Sequence, residues 1–459
     1  MSSVLLFFVF VIISGYLAVE VIDGSRPSLN FLEKLGMSFG LGLGINSVVI
    51  ILLTLLTIQS SKEVLVISFC IQIILFLGIL SSRPAKERLK EIKLKNLWPI
   101  IKYRYDFIEL ILLIIICLLV LSRFYRALGT PFNTWDEFSY WGIAAKAIYI
   151  SKSALIKGFI DGGFEKYPLF LPISSASVNI FLDKFAENYS RLINPALFVS
   201  LGVFIAGLLK RLGLSFKEIL LMLIVFFTGG HIVSEMASIL YADMTFAYFY
   251  GIAIAVYLLN YLDKQRESNY ILTGLFLSLA AWTKIEGLQI ALFTVFAIAA
   301  FEVINKRGKL KKFFILFLST ILIPALWYIF GIINNLGQAG WTNGLFKNTA
   351  YAVAHIGDLV VNMCKISVNN EFWSCFWILV VFSAVFTLLF FKNHIPSIFI
   401  LLILVLNICY LFASYLFVFR AQEIARVASF ERYILHFYPI GFLLIVFVYI
   451  NYKKRLTQN

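Results

Sequence analysis

An all-α polytopic membrane protein is the fold class this sequence predicts, on three observations. Of its 459 residues, 61% are hydrophobic and only 14% charged, with Phe alone contributing 46; a soluble fold has too little interior to hide that much apolar surface. Runs of about 20 apolar residues, the length at which a helix crosses the hydrocarbon core, recur along the whole chain. The charged residues collect in the short segments between those runs, which is where orientation signals sit.

Taken in order, the runs predict about thirteen transmembrane helices, near 4–20, 36–57, 64–81, 107–123, 194–209, 216–230, 241–262, 269–283, 287–305, 312–333, 373–391, 396–418 and 434–451. The first lacks a basic leader and a small-residue cleavage site, so it is expected to be retained as a helix. We divide the chain at about residue 106, into three N-terminal helices with a basic loop (1–106) and a larger membrane domain (107–459) with outer loops near 124–193 and 334–372. Within the first outer loop, Phe138, Trp141, Ala145 and Ile148 recur at helical spacing and predict a short interfacial helix.

The net charge of +14 does not imply a nucleic-acid partner, because the basic residues are distributed as loop signals. Arg83, Lys86, Arg88, Lys90, Lys93, Lys95, Lys102 and Arg104 crowd one loop, and Lys306, Arg307, Lys309, Lys311 and Lys312 another. Both are expected to be cytoplasmic. Threading the spans through them places Lys210, Arg211, Lys217, Lys264, Arg266, Lys453, Lys454 and Arg455 inside as well. Cys70, Cys117 and Cys409 lie in apolar runs, whereas Cys364 and Cys375 fall near the outer surface, where a disulfide is one option. No Walker loop, strand-linked Gly fingerprint or Cys/His zinc spacing appears, and His231, His355, His394 and His436 form no ligand pattern.

Six charged residues near span ends, Asp136, Glu137, Asp243, Lys284, Glu286 and Arg432, are all expected on the outer face. An ionised side chain beside a bilayer is costly unless it meets water, a partner or a substrate. In Thr134-Trp135-Asp136-Glu137-Phe138-Ser139-Tyr140-Trp141, Asp136 falls in a first helical turn, where free amides favour its ionised form. There it has the chemistry of a general base or a metal ligand. Glu137 has a structural alternative, since Thr134-x-x-Glu137 fits a capping box. Lys284 and Glu286, in Ala281-Trp282-Thr283-Lys284-Ile285-Glu286-Gly287, are two apart and would not share a helical face. Snorkelling accounts for Lys284 without function, capping for Asp243, and a pair with Glu431 for Arg432. A phosphate leaving group, however, requires cations, and Arg is the better suited by its fork of donors.

These motifs together resemble the C-type membrane glycosyltransferases, in particular the polyprenyl-phosphate-dependent branch that includes protein O-mannosyltransferases and aminoarabinose transferases of lipid A. Trp135-Asp136-Glu137 resembles their acidic motif in the first outer loop, and Tyr167-Pro168-Leu169-Phe170-Leu171-Pro172 the Pro/Tyr-rich segment after it. Tyr241-Ala242-Asp243 is similar to a later aromatic-Asp motif, Thr283-Lys284-Ile285-Glu286-Gly287 to a Lys-containing helix end, and Glu431-Arg432-Tyr433 with Pro439 to a C-terminal Arg-Tyr motif. The likeness spans about 107–451.

The resemblance implies a GT-C-like core and a catalytic carboxylate at Asp136 with Glu137 beside it. It also implies substrate or phosphate binding by Lys284, Arg432, Asp243, Glu286, Tyr167 and Tyr433. The implied reaction is transfer of a sugar from a polyprenyl-phosphate carrier to a hydroxyl, with inversion, at the outer face of a bacterial inner membrane. A Mg or Mn ion at Asp136, Glu137 or Asp243 stays open, because the superfamily contains both metal-dependent and metal-independent members. The acceptor is a glycan, glycolipid or protein; the absence of a C-terminal soluble module in this sequence favours the first two. The rivals are a transporter or flippase of lipid-linked sugars, which predicts charges at mid-bilayer or on both faces, a glycan polymerase or ligase, and a noncatalytic assembly subunit.

Overall fold

The computed structural model describes residues 2–24, 28–81, 106–157, 167–262, 265–336, 346–419, 424, 427 and 429–458. The basic cluster Arg83–Arg104, together with Asp161, Glu165 and Lys264, lies outside them. Every described element is helical, and no β-strand occurs among the described residues. Among the described residues nine helices are long and apolar enough to cross a membrane, fewer than the thirteen expected from the sequence. The chain is an integral, polytopic helical membrane protein.

The chain forms two compact units, Met1–Asp161 with Leu169–Thr228 and Ala237–Tyr241, and Gly162–Pro168 with Gly229–Met236 and Ala242–Asn459. This division does not follow the boundary at 106 drawn from the sequence.

The first unit contains α1 (Ser2–Asp23), α2 (Phe31–Leu55), α3 (Lys62–Ser81), α4 (Phe107–Gly129), a π-turn (Glu137–Trp141), α5 (Gly142–Ser151), α6 (Phe170–Leu182), α7 (Glu187–Ser190), α8 (Ile193–Arg211) and α9 (Phe216–Phe227). Three of them start on capping boxes that the sequence spells as Asn30-x-x-Glu33, Asp106-x-x-Glu109 and Ser215-x-x-Glu218. Helices α1 and α2 touch backbone to backbone. A Cβ at Gly15 would strike Ser38 O and one at Gly42 would strike Val11 O, so small residues set this crossing as they do in lipid-embedded helix pairs. Buried charges close the other end of the pair: Lys34 Nζ lies 2.9 Å from Glu20 and 3.2 Å from Asp23, while Glu33 binds Arg211 of α8 through both oxygens.

The segment read as one outer loop, 124–193, contains α6, a helix buried along nearly its whole length. Pro172 falls in its first turn, where the missing N–H is no loss. Inside it Asn179 Nδ2 donates to Ser190 Oγ at 2.7 Å and Ser177 Oγ accepts from Asn46 Nδ2 at 2.9 Å.

The second unit contains α10 (His231–Met236), α11 (Ala242–Leu262), α12 (Glu267–Ala281), α13 (Ile285–Ile304), α14 (Leu310–Ile333), α15 (Thr349–Ala354), α16 (Ile356–Ser367), α17 (Asn370–Trp373), α18 (Phe376–Phe390), α19 (Ile395–Phe417), α20 (Phe430–Leu435) and α21 (Tyr438–Gln458). Helix α11 is its central post, packed against α12, α20 and α21, with its apolar stretch wholly enclosed by protein. The predicted outer loop near 334–372 holds the three short helices α15, α16 and α17 in its described part.

The four other predicted runs form α9, α12, α18 and α21, which fall short of that length or composition. The first three have 12, 15 and 15 residues, or roughly 18–23 Å at 1.5 Å per residue, against a hydrocarbon core of about 30 Å. Helix α21 has 21 residues, but its final turns carry Lys453, Lys454 and Arg455. All five cysteines are free, Cys364 and Cys375 included.

Candidate active site

The sequence-predicted residues fall on two centres, one in each unit. In the first unit the chain leaves α4 at Gly129 and turns through Thr130–Trp135 into the π-turn. Gly142 N–H bonds back to Glu137 O, and a Cβ on Gly142 would strike Phe132 and that same carbonyl, so only glycine fits there. The extra residue of a π-turn shifts the helical register. Trp141, Ala145 and Ile148 therefore face inward as their spacing predicts, while Phe138 is turned out and is 45% exposed.

Glu137 is wholly buried. Its Oε1 accepts from Arg191 Nε at 2.6 Å and from Leu240 N at 2.8 Å. Its Oε2 accepts from Arg191 Nη2, from the Thr134 hydroxyl at 2.7 Å, and from the amides of Asn133 and Thr134 at 3.2 Å each. Burial pushes this carboxyl up, but the Arg191 guanidinium, the Leu240 amide and the Thr134 hydroxyl outweigh it and hold Glu137 below the usual carboxylate range. Of the two readings of Glu137, capping matches this geometry and general base does not. The hydroxyl of Thr134 donates to the acid and does not accept from an amide, which makes this a one-sided box. Glu137 is better described as the residue that fixes the loop.

Asp136 lies next to it and is half-buried. Its amide donates to Tyr241 Oη at 3.1 Å. Asn194 holds the segment bearing that tyrosine, donating to Ile239 O at 2.6 Å and Tyr241 O at 2.8 Å. The backbone at Asp136 is thus tied down on both sides, a supporting shell of the kind that a catalytic carboxylate needs.

In the second unit Asp243, in the first turn of α11, is the hub. Oδ1 accepts from Lys284 Nζ at 2.9 Å and His436 Nε2 at 3.0 Å, and Oδ2 from Arg432 Nη2 at 3.0 Å and Nε at 3.2 Å. Capping does not account for so many charged partners. Lys284 also lies 2.9 Å from Glu286 Oε1 and 4.8 Å from the centre of the Tyr433 ring. The expectation that Lys284 and Glu286 would point apart is overturned. Lys284 has extended backbone between α12 and α13, with φ −144° and ψ 156°, so the helical-face rule does not govern it. Arg432 pairs with Asp243. Tyr167 lies within electrostatic reach of Tyr433.

His436 was missed by sequence reasoning, which sought ligand spacing among the histidines. The available signal was different: Arg432 and His436 are four apart, hence on one helical face. The αR conformation at His436 continues the turn of α20.

Scanned against protein-family models, curated proteins and solved structures, the chain matches none. The donor sets decide how a metal fits. Among the described residues no group of three or more His, Cys, Asp or Glu side chains could hold a metal ion. The oxygens of Glu137 and Asp243 are spent on cations and N–H donors. Neither is a metal ligand in this arrangement, so the Mg or Mn option at Glu137 and Asp243 does not fit, and Asp136 alone supplies too few donors for a divalent ion.

Proposed function

We propose that the protein is a glycosyltransferase that moves a sugar from a polyprenyl-phosphate carrier to a hydroxyl of a glycan, glycolipid or protein, at the outer face of a bacterial inner membrane. The observation that carries this reading is the convergence of Asp243, Lys284, Glu286, Arg432 and Tyr433, from three distant segments, on one buried cluster. Bare cations are costly away from water. Carboxylates hold Lys284 and Arg432 charged and oriented until an anionic phosphate joins them. Arg432, 21% exposed at its side chain against 11% for Lys284, is the cation best placed to meet that phosphate first.

In the reaction, Asp136 takes the proton from the acceptor hydroxyl as its oxygen bonds to the anomeric carbon. The bond from that carbon to the phosphate oxygen breaks, its electron pair leaves with the phosphate, and configuration inverts. Lys284 and Arg432 meet the charge that grows on the phosphate. Asp243 acts as a positioning residue for both cations.

The test is mass spectrometry of polyprenyl-linked sugars in host cells deleted for this gene. Accumulation of one lipid-phosphate sugar, cleared by the wild-type gene, supports transfer and identifies the donor. No accumulation, with redundant enzymes excluded, turns the reading toward transport or a noncatalytic role. A related prediction concerns Arg432→Ala, which removes a charge-assisted contact worth about 1.5–3 kcal/mol. The variant is expected to retain roughly 10–100-fold less polyprenyl phosphate on purification; equal retention would mean that Arg432 serves only the fold.

A further inference from the structure

In the first unit an open pocket of about 670 Å³ is lined by Thr130 and Pro131 just past α4, by Lys146 of α5, and by Phe185, Glu187 and Asn188 around the start of α7. Its volume falls within the roughly 300–1,000 Å³ of small-molecule sites. Its polar side chains can be reached from outside: Lys146 is exposed, and Glu187 and Asn188 are half-buried. Lys146 makes no ion pair among the described residues, and its Nζ lies 5.9 Å from the centre of the Phe185 ring. Glu187 Oε2 accepts from Phe132 N at 2.9 Å, and its other oxygen has no partner among the described residues. Asn188 is fixed on the wall, donating to Leu128 O at 3.1 Å. An ammonium donor and a carboxylate acceptor thus line one accessible pocket without pairing with each other.

Those walls select a class of ligand. A bare phosphate would meet Lys146 but also the like charge of Glu187, and a hydrocarbon chain would strip water from both charges and give nothing back. A saccharide suits both, because each hydroxyl donates and accepts, and the C–H face of a sugar ring can lie against Phe185. The pocket also shares a wall with the turn that carries Asp136. Glu187 holds that turn at Phe132, and Arg191 Nη1 holds it at Thr130 O, 3.1 Å away. Resting on the proposed transfer reaction, we infer that this pocket is the acceptor subsite and that the group it takes is a saccharide. Of glycan, glycolipid and protein, the acceptor is then a molecule that presents a sugar.

The test is photo-crosslinking in host cells. The photoreactive residue p-azidophenylalanine is placed in full-length protein at Pro131 and, in a separate protein, at Leu128, both on the pocket. After illumination the adducts are identified by mass spectrometry. We expect adducts that contain saccharide. Lys146→Met keeps the aliphatic stem beside Phe185, and Glu187→Gln keeps an oxygen for the Phe132 amide, so both variants are expected to retain the thermal midpoint. Each is expected to lower the yield of saccharide adduct about 3–10-fold, the loss of one hydrogen bond. Adducts with phospholipid or peptide alone, no adduct at either position, or a saccharide yield unchanged in both variants overturns the subsite. If a lipid-phosphate sugar still accumulates in deleted cells, the transfer reading survives that result. Saccharide adducts without such accumulation, with redundant enzymes excluded, overturn the acceptor role and the transfer reading together.

Discussion

Asp136→Asn is expected to lower sugar transfer by about 10²–10⁴-fold, the range a positioned general base contributes, while the protein inserts and folds as before. The substitution is isosteric. The Tyr241 contact runs through the Asp136 amide and survives, as do all the bonds of Glu137 that fix the turn. What changes is basicity: an amide cannot take the acceptor's proton. The readout is the lipid-phosphate sugar that accumulates in deleted cells, which wild type clears and the Asn variant leaves. Complete clearance by the variant would remove Asp136 from the chemistry.

The helices were legible because membrane helices advertise themselves by composition, and each predicted run coincides with a helix in the structure. Their lengths were not legible. Hydropathy reports burial in anything apolar, and α9, α12 and α18 combine a spanning helix's composition with 12 to 15 residues. Helix α6 was hidden for the opposite reason. Its Ser174, Ser175, Ser177 and Asn179 and its flanking prolines read as loop chemistry, yet all four polar residues are buried inside protein.

The candidate site shows the same division. That Asp243, Lys284, Glu286 and Arg432 belong together followed from placing each at a span end, a topological argument that needs no geometry. Which of them touch did not follow, because the contact between Lys284 and Glu286 depends on an extended residue between two helices, and helical rules do not reach it. His436 was within reach of a pattern search that asked which residue shares a face with Arg432. Arg191 was not: its partner lies 54 positions away, and no local period links a loop acid to the start of a distant helix.

Glu137→Ala is expected to destabilise the fold where its neighbour's substitution does not. Removing the acid leaves the Arg191 guanidinium, itself 1% exposed, without a countercharge, and breaking such a pair from one side costs about 3–5 kcal/mol. It also strands the Leu240 amide and frees the 133–134 turn. The expected result is a clear fall in the thermal midpoint of detergent-purified protein, with loss of activity following loss of folded material. Replacing both partners, as Glu137→Met with Arg191→Met, should cost less than the two single changes summed, since no buried charge then remains. Acid should act in the same direction. Because the folded carboxyl is held below its unfolded value, its contribution is fully present above the ordinary carboxylate range and is lost as pH falls through the lowered value. A Glu137→Ala protein that keeps its thermal midpoint yet transfers no sugar would return Glu137 to the catalytic pair, beside Asp136, where the sequence motif alone had put it.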